Sequence, residues 1–126
     1  MSVAKGRFRP HEHIRDPRDF RRAFDRRKPA SDDLMIVYAT ENGLDFPRLG
    51  ISIGKKKVKL AVDRNRIKRL VREAFRLGKL DIPIGVDLVI VPRGPGLTLD
   101  GAMRSLPGLC RSAARRIGHV PPKAAP

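Results

Sequence analysis

A strongly amphipathic segment at residues 64–77 constrains the fold of this chain more than any other feature. Advancing 100° per residue, as in an α-helix, collects the apolar side chains on one arc of about 160°. These are Ile67, Leu70, Val71, Ala74, Phe75 and Leu77. The opposite arc holds Asn65, Lys68, Arg69, Arg72 and Arg76. The spacing predicts a helix that packs on a core through one side, with Asp63 as its N-cap and Gly78 as a left-handed stop.

This helix lies in the most basic part of the chain. The protein has 28 Lys and Arg against 13 Asp and Glu, a formal charge of +15, and residues 55–79 contain eleven basic and two acidic side chains. Lys68, Arg72 and Arg76 follow one another at i,i+4 spacing, which destabilises a free helix. A polyanion would relieve this repulsion, and nucleic acid is the commonest such partner. A merely solubilising face and a membrane surface are the weaker alternatives.

The remaining pattern predicts a small α+β domain. We expect a helix at about 17–26 capped by Asp16, strands at 34–39, 48–54 and 86–91, and a last helix at about 99–117 that is kinked or broken at Pro107-Gly108. In the second strand one side is small and polar, so that another chain can approach it closely. The inner stripe of the last helix is expected to be Ala102, Met103, Leu106, Leu109, Cys110, Ala113 and Ile117. The expected architecture is a two-layer sandwich in the order helix–strands–helix–strand–helix.

No set of side chains indicates a protein-borne nuclease site. The three histidines fall near the chain ends, away from any cysteine or paired carboxylates, and the 13 acidic residues show no cluster of the metal-dependent nuclease type. Cys110, the single cysteine, excludes an internal disulfide and is expected to be an inert core thiol. We therefore expect no catalytic residue and no protein-bound metal.

Four segments resemble one family, the bacterial ribonuclease P protein subunit. The run RNRIKR at 64–69, followed by LVREAFR at 70–76, is similar to the signature of that family. The run RLGISI at 48–53, with Lys55 and Lys56, resembles the strand that precedes the signature in this family. The run DFRRAF at 19–24 resembles the family's first helix, and residues 86–92 resemble its last strand. The resemblance covers about residues 14–117, in the right order and at the right spacing.

The resemblance implies a ribonucleoprotein function. The family's holoenzyme removes the 5′ leader from precursor tRNA, and its RNA subunit performs the hydrolysis with Mg²⁺. The protein subunit binds the catalytic RNA, holds the leader in a central cleft and broadens substrate recognition. The family fold recurs among ribosomal proteins and contains a left-handed crossover at the basic helix, against the usual rule.

Site residues follow from the same resemblance. The RNA-binding set would be Lys55, Lys56, Arg64, Asn65, Arg66, Lys68, Arg69 and Arg72. The leader cleft would be lined by Phe20, Phe24, Tyr38 and Ser52. Without the resemblance, the aromatic side chains at these positions would be assigned to the core. Residues 57–63 depart from the family pattern, being one residue longer and without its usual glycine.

Local composition predicts the domain organisation. We expect a flexible basic arm at 1–13, a single RNA-binding domain at 14–118 and a flexible tail at 119–126, which contains three prolines. No apolar run suits a membrane span or a signal peptide, so we expect a cytoplasmic protein without a membrane partner.

Two other functions remain open from the sequence. One is a ribosomal or other structural RNA-binding protein, which the fold alone does not separate from the first. The other is a DNA-binding module with residues 64–77 as recognition helix. That helix lacks the short preceding helix and turn of a helix-turn-helix unit, so we expect no DNA partner.

Overall fold

The structure, a computed structural model, describes residues 9–119. Its helices are α1 (Pro17–Asp25), α2 (Ala61–Leu77) and α3 (Leu99–Arg116), and its strands are β1 (Ala30–Ser31), β2 (Met35–Glu41), β3 (Arg48–Ile51) and β4 (Val86–Pro92). Short 3₁₀ turns lie at Pro10–Glu12 and Lys79–Asp81. The predicted α+β class and the predicted element order are confirmed. Within these residues, no helix is both long and apolar enough to cross a bilayer.

The four strands form one mixed sheet in the order β1-β2-β4-β3. β2 is antiparallel to β4, whereas β3 is parallel to β4, and α2 connects these two parallel neighbours. Side chains alternate between the faces, so Val37, Leu88 and Leu49 enter the main core with α2 and α3. On the opposite face Val89 packs with Ala23 of α1. Helices therefore cover both faces of the sheet, α2 and α3 on one and α1 on the other.

The α2 helix begins three residues before the predicted start. Its N-cap is Leu60, and Asp63 lies inside the first turn, where its N–H donates to the Leu60 carbonyl at 3.1 Å. The prediction that Asp63 caps the helix is wrong, although its charge is favourable in the first turn. Arg64 donates to the carbonyls of Val58 and Lys59, 2.9 and 2.8 Å away, and this contact stabilises the turn that leads into the helix.

The C-terminus of α2 also differs from its prediction. Gly78 has φ −97°, so it is not a left-handed stop, and the chain continues into the 3₁₀ turn at Lys79–Asp81. A Cβ on Gly78 would lie 3.1 Å from Pro107 Cγ, so the glycine permits the close approach of α3. Leu77, predicted to face inward, is 47% exposed because α2 ends beyond the edge of the core.

A kink or a break was predicted at Pro107-Gly108, and α3 runs through both residues without a break. Thr98 caps the helix by accepting the Gly101 N–H at 3.0 Å. Most of the predicted inner stripe is buried, but Met103 is 42% exposed and Ala114 is buried instead. The inward face is therefore rotated slightly from the predicted one, because it follows the contact with α2 and the sheet.

Parts of both predicted terminal segments belong to the folded region. His13 forms a parallel bridge with Leu49, and the buried Glu12 forms an ion pair with Lys79, so the fold begins before residue 14. At the other end a ring nitrogen of His119 lies 2.9 Å from the Ile84 carbonyl oxygen. The rest of the predicted arm, residues 1–8, and of the predicted tail, residues 120–126, lie outside the described residues.

Cys110 is fully buried, and burial raises the pKa of its thiol. Since only the thiolate reacts readily, we expect native protein to resist the thiol reagent DTNB. Labelling should appear only along the urea unfolding transition, in step with the loss of helical circular dichroism. Fast labelling of the native protein would contradict the assignment of Cys110 to the core.

Candidate RNA interface

A cluster of aromatic side chains lies between α1 and the sheet. Tyr38 of β2 and Gly50 of β3 both pair with Val89 of β4, which places the three residues side by side on the α1 face. The Phe20 ring covers Gly50, since a Cβ there would lie only 2.7 Å from Phe20 Cζ. Phe24 meets Tyr38 edge to face, with ring centroids 4.8 Å apart. The glycine is therefore what allows α1 to lie so close to the sheet.

The next cross-strand row continues this surface. Ile36 pairs with Val91, and the Ser52 N–H donates to the Ile90 carbonyl at 2.9 Å, which extends the pairing beyond β3. Ile36, Val91 and Ser52 are half-buried, as are the three aromatic side chains. We call the surface formed by these six residues the aromatic cleft: Phe20, Phe24, Ile36, Tyr38, Ser52 and Val91.

All four residues predicted to line a leader cleft lie in the aromatic cleft. Ile36 and Val91 were missed, because the apolar runs of β2 and β4 do not show which alternate side chains α1 leaves uncovered. Strict alternation with Tyr38 would have suggested Ile36. The role of these residues in leader binding stays a prediction.

An ion-pair network lies on the same face of the sheet. The fully buried Asp87 accepts two hydrogen bonds from Arg48, Nε to Oδ1 at 2.7 Å and Nη2 to Oδ2 at 2.6 Å. Asn42 Nδ2 donates to the same Oδ1 at 3.1 Å. Asp19 of α1 lies 3.4 Å from Arg48 Nη2. Arg48 thus links α1 to β3 and β4, a role that the sequence analysis did not identify.

The polar side of α2 is a basic surface. Asn65, Arg66, Arg69 and Arg72 are exposed, Arg64 and Lys68 are half-buried, and Lys55 and Lys56 are exposed in the turn before the helix. We call these eight residues the basic face of α2. Among the described residues none of its lysines or arginines has an acidic ion-pair partner, unlike Arg76, which pairs with Glu73. The predicted uncompensated charge is therefore present, and its contact with RNA stays a prediction.

Two arginines of the basic face also hold the fold together. Besides the contacts of Arg64 with the preceding turn, Arg66 Nη1 donates to the Leu97 carbonyl at 3.2 Å and Nη2 donates to that of Pro95. A guanidinium has five N–H donors, so each arginine keeps donors for a phosphate. Sequence spacing does not reveal these contacts, because the acceptors of Arg66 are backbone carbonyls of a distant loop.

The acidic side chains are mostly engaged in structural contacts. Within residues 9–119, no group of three or more His, Cys, Asp or Glu side chains could hold a metal ion. Glu12, which lies between two histidines in sequence, pairs with Lys79 and accepts the Arg9 N–H at 2.7 Å. Both contacts of the Glu12 carboxylate are therefore made within the fold.

Comparisons with known proteins agree with this geometry. The family model for Ribonuclease P matches residues 8–112. A ribonuclease P protein component from Ectopseudomonas mendocina is 42% identical over 127 residues, covering 95% of this chain and 93% of the relative. One from Pseudomonas putida is 47% identical over 89 residues, covering 68% of this chain but only 64% of the relative.

A solved structure has the same fold. The RNase P protein from Thermotoga maritima is 34% identical and superposes with a TM-score of 0.70, covering 79% of this chain and 96% of the other. The family model and the Ectopseudomonas relative each span most of this chain. The chain therefore belongs to the ribonuclease P protein family.

Proposed function

We propose that this chain is the protein component of ribonuclease P and assists removal of the 5′ leader from precursor tRNA. The observation that carries the proposal is the pairing of two surfaces on one small domain of this family. One is the basic face of α2, whose cations have no acidic ion-pair partner within residues 9–119, and the other is the aromatic cleft beside α1. The partners of this chain would be the catalytic RNA and the precursor-tRNA leader, and it would act in the cytoplasm.

The two surfaces suit different parts of RNA. Exposed arginines and lysines bind phosphates with little regard to sequence, and the release of counterions makes that binding depend on salt. Half-buried aromatic rings provide planes on which unpaired bases stack, each base contributing about 1–3 kcal/mol. A single-stranded leader fits the cleft, whereas structured RNA fits the exposed side of a helix.

The protein's contribution in this proposal is binding and positioning. Six of the described acidic side chains form ion pairs with arginines: Asp16, Asp19, Glu41, Glu73, Asp87 and Asp100. Hydrolysis is assigned to the RNA subunit, which requires Mg²⁺. The protein raises the local concentration of the substrate at that RNA and fixes the leader's direction.

Reconstitution tests the proposal directly. A bacterial catalytic RNA is assayed for precursor-tRNA cleavage at low Mg²⁺, with and without the full chain. We expect a higher kcat/KM with the chain, and a larger gain for a substrate with a leader than for one shortened to a single leader nucleotide. No gain would contradict the proposal, as would co-purification from cells with ribosomal subunits instead of one RNA of several hundred nucleotides.

The basic face should show its role in salt dependence. Arg69 is exposed and has no ion-pair partner among the described residues, so Arg69→Ala removes charge without removing a described contact of the fold. We expect weaker RNA binding and a slope of log K against log salt that is smaller by about 0.7–0.9. Arg104→Ala is the matched control, since Arg104 is exposed on α3 and pairs with Asp100. An Arg69→Ala slope equal to that of the control would contradict phosphate binding by Arg69.

The aromatic cleft should show its role in leader dependence. Tyr38→Ala removes a ring on which a base can stack, and we expect about a 5- to 100-fold loss of affinity for leader-bearing substrate. The salt slope and the affinity for leaderless tRNA should change little. Tyr38→Phe keeps the ring and should therefore retain most of the wild-type affinity for leader-bearing substrate. An equal loss with both substrates would mean that Tyr38 only supports the core.

A further inference from the structure

The helix α1 lies across the strands and separates two rows of side chains on its face of the sheet. Its Phe20 ring lies over β3 and its Phe24 ring against Tyr38 of β2. On one flank of the helix is the row of the aromatic cleft that contains Ile36. The cross-strand row on the other flank is polar and consists of Thr40, Asp87 and Arg48. One flank of α1 therefore borders the cleft, and the other borders polar groups.

The polar flank of α1 is tied to the sheet by its own side chains. Asp19, Arg22 and Arg26 follow at i, i+3 and i+7 spacing, so they lie on one side of the helix. Asp19 Oδ2 is 3.4 Å from Arg48 Nη2 of β3. Arg22 Nη2 donates to the carbonyl of Glu41, the last residue of β2, at 2.8 Å. Contacts with two different strands are thus made from the same side of α1.

Arg26 makes the longest-range contact of this group. Its Nη1 donates to Glu41 Oε1 at 2.6 Å, and its Nη2 donates to the Ile117 carbonyl at 3.0 Å. Ile117 follows the last residue of α3, which packs on the opposite face of the sheet. A guanidinium suits this position, because it presents several donors and the C-terminal carbonyls of a helix carry partial negative charge. Arg26 therefore connects the end of α1 to β2 and to α3.

These polar contacts and the ring contacts constrain α1 in different ways. We call the five residues of the polar flank the α1 brace: Asp19, Arg22, Arg26, Glu41 and Arg48. Apolar contacts, such as those of Phe20 and Phe24, have little directional preference, whereas hydrogen bonds require particular distances and angles. The brace therefore restricts movement of α1 across the sheet, and such movement would change the width of the aromatic cleft.

We infer that Arg26 and Glu41 are positioning residues for the leader, which act by holding α1 at the distance that keeps the aromatic cleft open to a base. The inference rests on the proposed function for the identity of the ligand. Neither residue belongs to the aromatic cleft or to the basic face of α2. Their side chains are 37% and 45% exposed, so the pair contributes little to overall stability.

The first measurement uses the free chain and requires no RNA. The chain contains one tyrosine and no tryptophan, so its intrinsic fluorescence reports on Tyr38 in the cleft. Acrylamide quenching of this fluorescence is compared between the wild-type protein and Arg26→Ala. We expect a changed quenching constant in Arg26→Ala, because the Phe24 ring that meets Tyr38 shifts with α1.

The second measurement uses the assembled holoenzyme with long-leader and leaderless precursor tRNA. Arg26→Ala should weaken affinity for the long-leader substrate by about 2- to 5-fold, the range that corresponds to the loss of an exposed ion pair. Affinity for the leaderless substrate and the single-turnover cleavage rate at saturating substrate should change little. The thermal unfolding temperature should also stay close to that of the wild type.

Arg18→Ala is the matched control. Arg18 lies on the same helix and carries the same charge, but its ion-pair partner is Asp16, immediately before α1. This variant should keep the wild-type quenching constant and the wild-type ratio of long-leader to leaderless affinity.

A double-mutant cycle separates the brace from direct contact between Arg26 and RNA. Glu41→Ala removes a negative charge, so simple electrostatics predicts tighter RNA binding, whereas loss of the brace predicts weaker binding of the long leader. We expect weaker binding, and the double variant Arg26→Ala with Glu41→Ala should lose little more than Arg26→Ala alone.

The outcomes support or overturn the inference separately from the proposed function. Additive losses in the cycle, tighter leader binding in Glu41→Ala, or an equal loss with both substrates in Arg26→Ala would overturn it. Wild-type Tyr38 quenching in Arg26→Ala would overturn it as well, even if the chain stimulates cleavage. If the chain stimulates no cleavage, the proposed function fails, while the quenching of Tyr38 still shows whether the brace holds α1.

Discussion

Asp87→Ala is expected to destabilise the protein by about 3–5 kcal/mol, the range found when one partner of a buried ion pair is removed. Asp87 is fully buried, and its two hydrogen bonds to Arg48 are the shortest contacts of that guanidinium. Without Asp87, the ion-pair partner left to Arg48 among the described residues is Asp19 at 3.4 Å, and the Arg48 side chain is 21% exposed. The measurement is urea unfolding followed by circular dichroism.

Two further variants make this prediction specific. Asp100→Ala breaks an exposed pair on α3 and should cost less than about 1 kcal/mol. The double variant Asp87→Leu with Arg48→Met removes both charges, and we expect it to recover much of the lost stability, because no charge is then left buried. A loss below about 1 kcal/mol for Asp87→Ala would show that water or Asp19 suffices for Arg48.

Gly50→Val is expected to impair the aromatic cleft and to lower the free energy of unfolding by about 1–3 kcal/mol, as overpacking does. A Cβ at Gly50 would lie 2.7 Å from Phe20 Cζ and 3.2 Å from Ile14 Cβ. The Phe20 ring must therefore move away from its position over β3. Affinity for leader-bearing substrate should drop, whereas catalytic-RNA binding through the basic face of α2 should change little.

The controls for Gly50→Val separate space from chemistry. A Cβ on Gly94 meets nothing within 4 Å, so Gly94→Ala should leave both stability and leader affinity unchanged. Combining Gly50→Val with Phe20→Leu removes most of the clash and should restore stability without restoring leader affinity. Full leader affinity in Gly50→Val would contradict a role for the position of Phe20.

Local patterning explains why the main elements could be predicted from the sequence. The 3.6-residue period of α2 and the Asp16-Pro17 start of α1 are short-range signals, and the structure confirms both helices. The predicted ends of α2 were less accurate. The turn before the helix is held by Arg64 through the carbonyls of Val58 and Lys59, and Gly78 packs against Pro107 of α3. Met103 was misplaced for a similar reason, since the inward face of α3 depends on its partner helix.

The cleft residues required the family resemblance in addition to the pattern. Phe20 and Phe24 at i,i+4 spacing are equally typical of a helix packed wholly into a core. In the sequence, only the small side chains on one side of β3 indicated that another segment packs closely against this strand. The structure shows that this segment is α1, whose Phe20 ring lies against Gly50. Ile36 and Val91 could not be predicted as cleft residues, because they lie in continuous apolar runs in which the pattern predicts burial at every position.

Periodicity, charge and the signature run are properties of neighbouring residues, and so the sequence by itself determined the α+β class, the basic face of α2 and the family. The Arg48–Asp87 pair and the hydrogen bonds from Arg66 to the carbonyls of Pro95 and Leu97 join residues that are far apart in the chain. Only strand register and helix packing bring them together. The tertiary structure alone therefore decided which charges are neutralised by other side chains of the described region and which are not.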